Sequence, residues 1–161
     1  MKITIQYLAG LFDGEGCISI ACAKQGWKNS RSKSPAYELK LHIRMTDPRP
    51  IKIFRDYFQQ FLNGGYSVRQ EYEHPNHKPT YCYGCSHSKA ETIIKQLLPY
   101  LIVKKEQAEL ALEFQQYIRD SKCQGKVGFS RKPDPDYILA KRHHYYLAMK
   151  NLKSLRYPFQ A

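Results

Sequence analysis

Residues 8–16, Leu8-Ala9-Gly10-Leu11-Phe12-Asp13-Gly14-Glu15-Gly16 (LAGLFDGEG), combine small residues at helix-contact spacing with carboxylates at a helix end. Gly10 and Gly14, four apart, share one helix face, and with no side chains there two backbones can approach closely, so a second helix is expected against it. Ile5, Leu8, Ala9 and Phe12 form a different stripe, which anchors the same helix to a core. Glycine weakens a helix by about 1 kcal/mol against alanine, so Gly10, Gly14 and Gly16 imply close packing that offsets the loss. Asp13 and Glu15 fall where the helix dipole is negative and carboxylates are disfavoured. Something positive is needed there, and a divalent cation would serve.

Working outward, the periodicity changes from 3.6 to 2 after Gly16: Cys17 to Ala23 has apolar even and small or polar odd positions, a first strand. Residues 24–35 (KQGWKNSRSKSP) carry four basic residues and no acid and read as a loop. Next, Glu38, Lys40, His42 and Arg44 alternate with Leu39, Leu41, Ile43 and Met45, a half-buried second strand. Asp47-Pro48 reads as an N-cap and first helical residue, with Ile51, Phe54, Phe58, Phe61 and Leu62 as the apolar stripe and Asn63-Gly64-Gly65 as the stop. Two strands are predicted over about Tyr66–Glu73 and Thr80–His87. Ser88 caps a helix over Ala90–Leu101, with Glu91 in a capping box, and further helices cover about Lys104–Asp120 and Tyr137–Leu155. The order is αββαββα with helices appended, an α+β domain. The expectation is one domain over residues 1–161, with a core of about 5–120 and a helical extension of about 121–161.

Lys and Arg number 26 against 14 Asp and Glu, a formal charge of +12, which points to a polyanion and to nucleic acid before membrane. No apolar run approaches the roughly 18 residues of a membrane span, and MKITIQYLAG lacks the apolar region of a signal peptide, so a soluble intracellular protein is expected. The cysteines at 17, 22, 82, 85 and 123 are odd in number and read as reduced thiols.

LAGLFDGEG resembles the LAGLIDADG motif of homing endonucleases, with Phe12 for isoleucine, Gly14 for the second alanine and Glu15 for the second aspartate. The order of elements over roughly residues 5–120 is similar too. The resemblance implies a saddle-shaped antiparallel sheet lying across double-stranded DNA, with helices packed on one face and the motif helix at the centre. One motif copy implies a homodimer, with Gly10, Leu11, Asp13 and Gly14 at the interface.

Asp13 and Glu15 diverge by about 200° on a helix, so one subunit cannot present them as a pair. Two copies of the helix side by side would bring the two Glu15 groups to neighbouring scissile phosphates. The resemblance makes Glu15 the metal ligand, assisted by the Gly14 carbonyl. Mg²⁺ is the expected ion, with Mn²⁺ as a substitute, since Mg²⁺ binds through one or two carboxylates and fills its other positions with phosphate and water. Asp13 matches a mainly structural position. Lys104 matches a lysine beside the scissile phosphate. From the residues alone, Lys104 and Lys105 at a helix start ask for an anion nearby. Where family members often carry a glutamine that positions solvent, this chain has Asp47, a catalytic candidate that also reads as an N-cap.

A sheet can enter the major groove and read base edges, and Glu38, Lys40, His42 and Arg44 suit that task. Arg69, Glu71, Tyr81 and Tyr83 are expected on the same face, and Lys24, Lys28, Arg31 and Lys33 at phosphates. His74, His77, Cys82 and Cys85 have zinc-type identities, but the loop is short for a finger and Cys82 and Cys85 point to opposite faces of a strand. The resemblance thus implies an intron-encoded, metal-dependent, site-specific DNA endonuclease that cuts both strands of a long, nearly palindromic site and has no small-molecule substrate. The alternative is a non-cleaving protein of the same fold, an RNA splicing maturase or a regulator.

Overall fold

The computed structural model describes residues 3–23, 35–62, 68–71, 78–122 and 134–154. Helix α1, Ile5–Glu15, starts where the Thr4 hydroxyl accepts the Tyr7 amide at 3.3 Å and buries Leu8, Ala9 and Phe12. The chain turns at once into β1, Gly16–Ala23, which pairs antiparallel with β2, Ala36–Met45, with Gly16 opposite Ile43. After α2, Pro48–Gln59, come β3, Arg69–Glu71, and β4, Thr80–Ser86, and the antiparallel sheet has the order β1-β2-β4-β3. Helices α3, His87–Leu97, α4, Lys105–Lys122, and α5, Asp136–Ser154, complete the expected αββαββα order with helices appended.

The alternation in the strands decides which face is buried. Ile18 and Ile20 of β1, Leu39, Leu41 and Ile43 of β2 and Tyr83 of β4 form one core with residues of all five helices. Phe54 of α2 is the joint, with its ring centroid 5.9 Å from Phe12, 4.7 Å from Phe58 and 5.9 Å from Tyr83. Such aromatic contacts tie the motif helix to the sheet. Met149 of α5 also enters this core, and Tyr145 meets Phe114 of α4 at 5.7 Å, so the C-terminal helix is packed onto the domain.

Several boundaries differ from expectation. Helix α2 ends at Gln59, ahead of the glycines, which leaves Phe61 48% exposed while Leu62 is buried. Of the predicted third strand only residues 68–71 are described, and Arg69–Glu71 of these form β3. The fourth strand stops at Ser86, and His87, at φ 53°, makes the turn into α3. The helix therefore begins too early for a box between Ser88 and Glu91. Glu91 instead faces α4, pairing with Lys95 at 2.7 Å and with Arg119. A 3-10 turn over Leu98–Tyr100 replaces the helix's expected last turn, since Pro99 has no amide to continue it. Among the described residues no helix is long and apolar enough to cross a membrane.

Candidate functional site

The three motif glycines differ in their surroundings. A Cβ on Gly10 or Gly14 would meet nothing within 4 Å, so that face of α1 is bare in this chain. A Cβ on Gly16 would lie 2.2 Å from the Phe12 ring, so Gly16 is the residue that lets β1 leave the helix over a buried phenyl group. Leu11 beside the bare face is half-buried, and Tyr7 is exposed. Beyond the helix end Ile102 and Val103 are 86% and 49% exposed.

The two carboxylates of the motif have different surroundings. Asp13 Oδ2 accepts the amides of Ile102 at 2.7 Å and Val103 at 3.2 Å, and Oδ1 accepts that of Lys104 at 2.9 Å. The Lys104 ammonium also donates to the Asp13 carbonyl oxygen. The positive charge that Asp13 requires is thus the start of α4, and the anion that Lys104 asks for is Asp13. The Asp13 carboxylate is thus engaged by three amides of its own chain. Glu15 is exposed and makes no hydrogen bond or ion pair among the described residues.

Asp47 is the N-cap of α2. It accepts the Arg49 amide at 2.9 Å and the Arg49 guanidinium at 2.5 to 3.1 Å. The hydrogen bonds from the Arg49 side chain and then its amide hold the carboxyl down to about 2. The N-cap that Asp47 also reads as in the sequence is therefore formed, with Arg49 as its partner.

The outward face of the sheet follows from register. Cys17, Ser19 and Ala21 stand opposite His42, Lys40 and Glu38, and Ser86, Gly84 and Cys82 opposite Lys40, His42 and Arg44. Arg69 is opposite Cys82 and Glu71 opposite Thr80. Glu38, Lys40, His42 and Arg44 therefore share the face turned away from the core, as expected, and Arg69 and Glu71 hold register positions on it. Tyr81 and Tyr83 do not. They stand opposite Met45 and Ile43, and Tyr83 is fully buried. The outward positions of β4 are instead the small residues Thr80, Cys82, Gly84 and Ser86, a second alternation within TYCYGCS that two tyrosines mask.

Charge on this face is organised around Glu38 and Cys17. Glu38 lies 3.4 Å from Lys40 and 3.4 Å from His87. Burial pushes its carboxyl up, but the Ser86 hydroxyl and these two bases outweigh it and hold the value below the usual range. Burial likewise opposes ionisation of Cys17, yet His42 and the Lys153 ammonium, 3.0 Å from the sulfur, bring it down to about 7. Sequence reasoning missed Lys153, which reaches Cys17 from α5. Burial pushes Cys85 up to about 12, and its position one strand residue from Gly84 puts it on the face opposite to Cys82. Lys24, Lys28, Arg31, Lys33, His74 and His77 lie outside the described residues.

Among the described residues no three His, Cys, Asp or Glu groups come together to hold a metal ion. The donor set at the helix end is one exposed carboxylate, Glu15, beside the Gly14 carbonyl. That fits Mg²⁺, which keeps most of its waters or takes phosphate oxygens, and does not fit an ion that needs a full protein cage.

A family model described as LAGLIDADG endonuclease matches residues 8–129. No curated protein sequence matches the chain. Among solved structures, the homing endonuclease I-CvuI in complex with its target in the presence of Ca has a TM-score of 0.65 at 19% identity, over 92% of this chain and 80% of that one. The homing endonuclease I-TnaI has a TM-score of 0.60 at 16% identity, over 96% of each chain. The archaeal intron-encoded homing endonuclease I-Vdi141I complexed with DNA has a TM-score of 0.56 at 15% identity, over 89% of this chain and 96% of that one. At these identities the likeness is one of fold.

Proposed function

The chain belongs to the LAGLIDADG endonuclease family, and from that premise we propose that it acts as a homodimer, cutting both strands of a long, nearly palindromic DNA site with a divalent cation, Mg²⁺ first, at Glu15. One observation carries this reading: Glu15, exposed and unpartnered among the described residues, ends a helix whose Gly10–Gly14 face is bare. A second copy of the helix against that face brings two Glu15 groups together about a two-fold axis. The exposed Ile102 and Val103 beside the helix end support a covering partner.

Glu15 and the Gly14 carbonyl would hold the cation, which when bound activates water and stabilises the leaving oxygen. Lys104, set by its bonds to Asp13, stands next to this end of α1 and offsets phosphate charge. Glu38, Lys40, His42 and Arg44 face the major groove, with Arg44 nearest the helix end because Ile43 is opposite Gly16. The presence of Ca or Mg in the I-CvuI–DNA structures supports a divalent ion, and the intron-encoded I-Vdi141I supports an intron origin.

The test is cleavage of a plasmid library with and without Mg²⁺, using the wild-type chain and Glu15→Gln. Glu15→Gln should abolish cutting while DNA binding survives, because the change removes charge and little volume. Retention of a tenth of wild-type cleavage would remove Glu15 as the essential ligand, and a wild-type chain that binds DNA without cutting would favour the non-cleaving alternative.

A further inference from the structure

Away from Glu15, a cavity of about 440 Å³ is lined by Arg69 of β3, Gly84, Cys85 and Ser86 at the end of β4, and His87, Ser88 and Lys89 at the start of α3. Its lining brings together a guanidinium, an imidazole, an ammonium and two hydroxyls, with no carboxylate among the described residues that line it. Glu38 stands outside the lining, 3.4 Å from His87 and itself 3.4 Å from Lys40. Arg69 is exposed and has no ion pair or hydrogen bond among the described residues.

The backbone adds to the same sign. Ser86, the cap residue of α3, makes no side-chain cap bond, so the positive end of the helix dipole is left to the cavity side chains and solvent. His87 takes the left-handed conformation at φ 53°, uncommon for a residue other than glycine, and this turn sets its ring between Glu38 and the cavity. Ser86 is opposite Lys40, which places the cavity at the border of the outward sheet face and shares no residue with the helix end.

We infer that this cavity is a phosphate-binding site that takes a backbone phosphate of the double helix away from the scissile position. The inference rests on the DNA-binding reading above. Arg69 supplies the fork that matches phosphate oxygens, Lys89 adds point charge, and the His87 ring adds a hydrogen-bonding nitrogen. Inorganic phosphate carries the same chemistry and is the other possible source.

The experiment has two arms on the full chain. In the first, binding to a 30-base-pair duplex of arbitrary sequence is measured across a series of KCl concentrations. Arg69→Ala should reduce the slope of log K against log salt by about 0.9, the value for one phosphate, and Arg69→Lys should keep most of it. Lys52→Ala on α2, exposed and outside both surfaces, should leave the slope unchanged. In the second arm, inorganic phosphate is titrated at constant ionic strength while the amide resonances of Ser88 and Lys89 are followed. Saturable shifts in the wild type that vanish in Arg69→Ala are expected. Saturable shifts with no change of slope would assign the site to free phosphate and overturn the DNA source. Neither effect would overturn the site and leave the Glu15 reading intact. A wild-type chain that binds no duplex would sink the DNA reading, while the phosphate arm still judged the cavity.

Discussion

Lys104 donates two hydrogen bonds to Asp13, 91 residues away: its amide to Asp13 Oδ1 at 2.9 Å, and its ammonium to the Asp13 carbonyl oxygen. The electronegative end of α1 is thereby set against the electropositive start of α4, and the lysine is held at the end of the helix that closes with Glu15.

Asp13→Ala is expected to lower stability by about 0.5–2 kcal/mol, the cost of losing a cap that accepts two exposed amides and one part-buried amide. It should also lower cleavage more than DNA binding, because the Lys104 backbone loses its carboxylate acceptor and keeps only the ammonium's bond to the main-chain carbonyl, while the sheet face is untouched. Asp13→Asn keeps one acceptor oxygen and should fall between. Urea unfolding, read beside single-turnover cleavage and binding, checks both parts. A fully stable, fully active alanine variant would show that the bond pair is incidental.

Gly16 and Gly10 are glycines for different reasons, and substitutions should separate them. Phe12 is fully buried and stacked on Phe54, so it cannot yield to a Cβ 2.2 Å away. Gly16→Ala should cost roughly 1–3 kcal/mol through overpacking. A side chain on Gly10 meets nothing in its own chain, so Gly10→Leu should fold and sediment as a monomer. An unchanged dimer would move the interface away from α1.

How far the sequence reveals this molecule depends on the range of each contact. Leu39, Leu41 and Ile43 alternate with Lys40, His42 and Arg44, so a strand and its outward face read directly from period two. In β4 the same rule misleads, because tyrosine is both apolar and polar: counting Tyr81 and Tyr83 as polar inverts the face, and the small residues Cys82, Gly84 and Ser86 go unnoticed. Asp47 as a cap is legible because the contact spans two residues. The need of Lys104 for an anion is legible too, but its fulfilment by Asp13 is not, since local spacing carries no trace of so distant a pair. Lys153 and Cys17, 136 residues apart, are invisible for the same reason.

Glu91 should govern part of the acid stability. It is 5% exposed and held by Lys95 of its own helix and Arg119 of α4. Burial pushes its carboxyl up, but the hydrogen bonds and charges of Lys95 and Arg119 outweigh this, so the folded value lies below the ordinary 4.5. The unfolded chain then binds the proton more readily, and the stabilisation is present above pH 4.5 and lost as pH falls through the folded value. Glu91→Gln should lower the melting temperature near neutrality and flatten the acid limb. Melts of both proteins from pH 7 to pH 3 that ran parallel would show that this carboxylate contributes nothing to the limb.

Calcium in place of magnesium should support tight binding to the site recovered from the plasmid library, with little or no cutting. Ca²⁺ takes more ligands in looser geometry, so it offsets the carboxylate charge but organises the attacking water poorly. Without any divalent ion, two Glu15 groups brought together would repel each other and the DNA phosphates. Among the described residues the chain offers Glu15 no cation, and the Lys104 ammonium is already bonded to the Asp13 carbonyl. Specific affinity should therefore fall by about tenfold or more in EDTA, since one such charge conflict worth about 1.4 kcal/mol is a factor of ten. Glu15→Gln removes the conflict at its source, so its affinity in EDTA should approach that of the wild type in Ca²⁺. Titrations of both proteins in EDTA, Ca²⁺ and Mg²⁺ at one ionic strength decide the matter. Wild-type binding equally strong in EDTA and Ca²⁺ would mean that the protein itself balances this charge, and the reading of the α1 end as a metal site would have to be replaced.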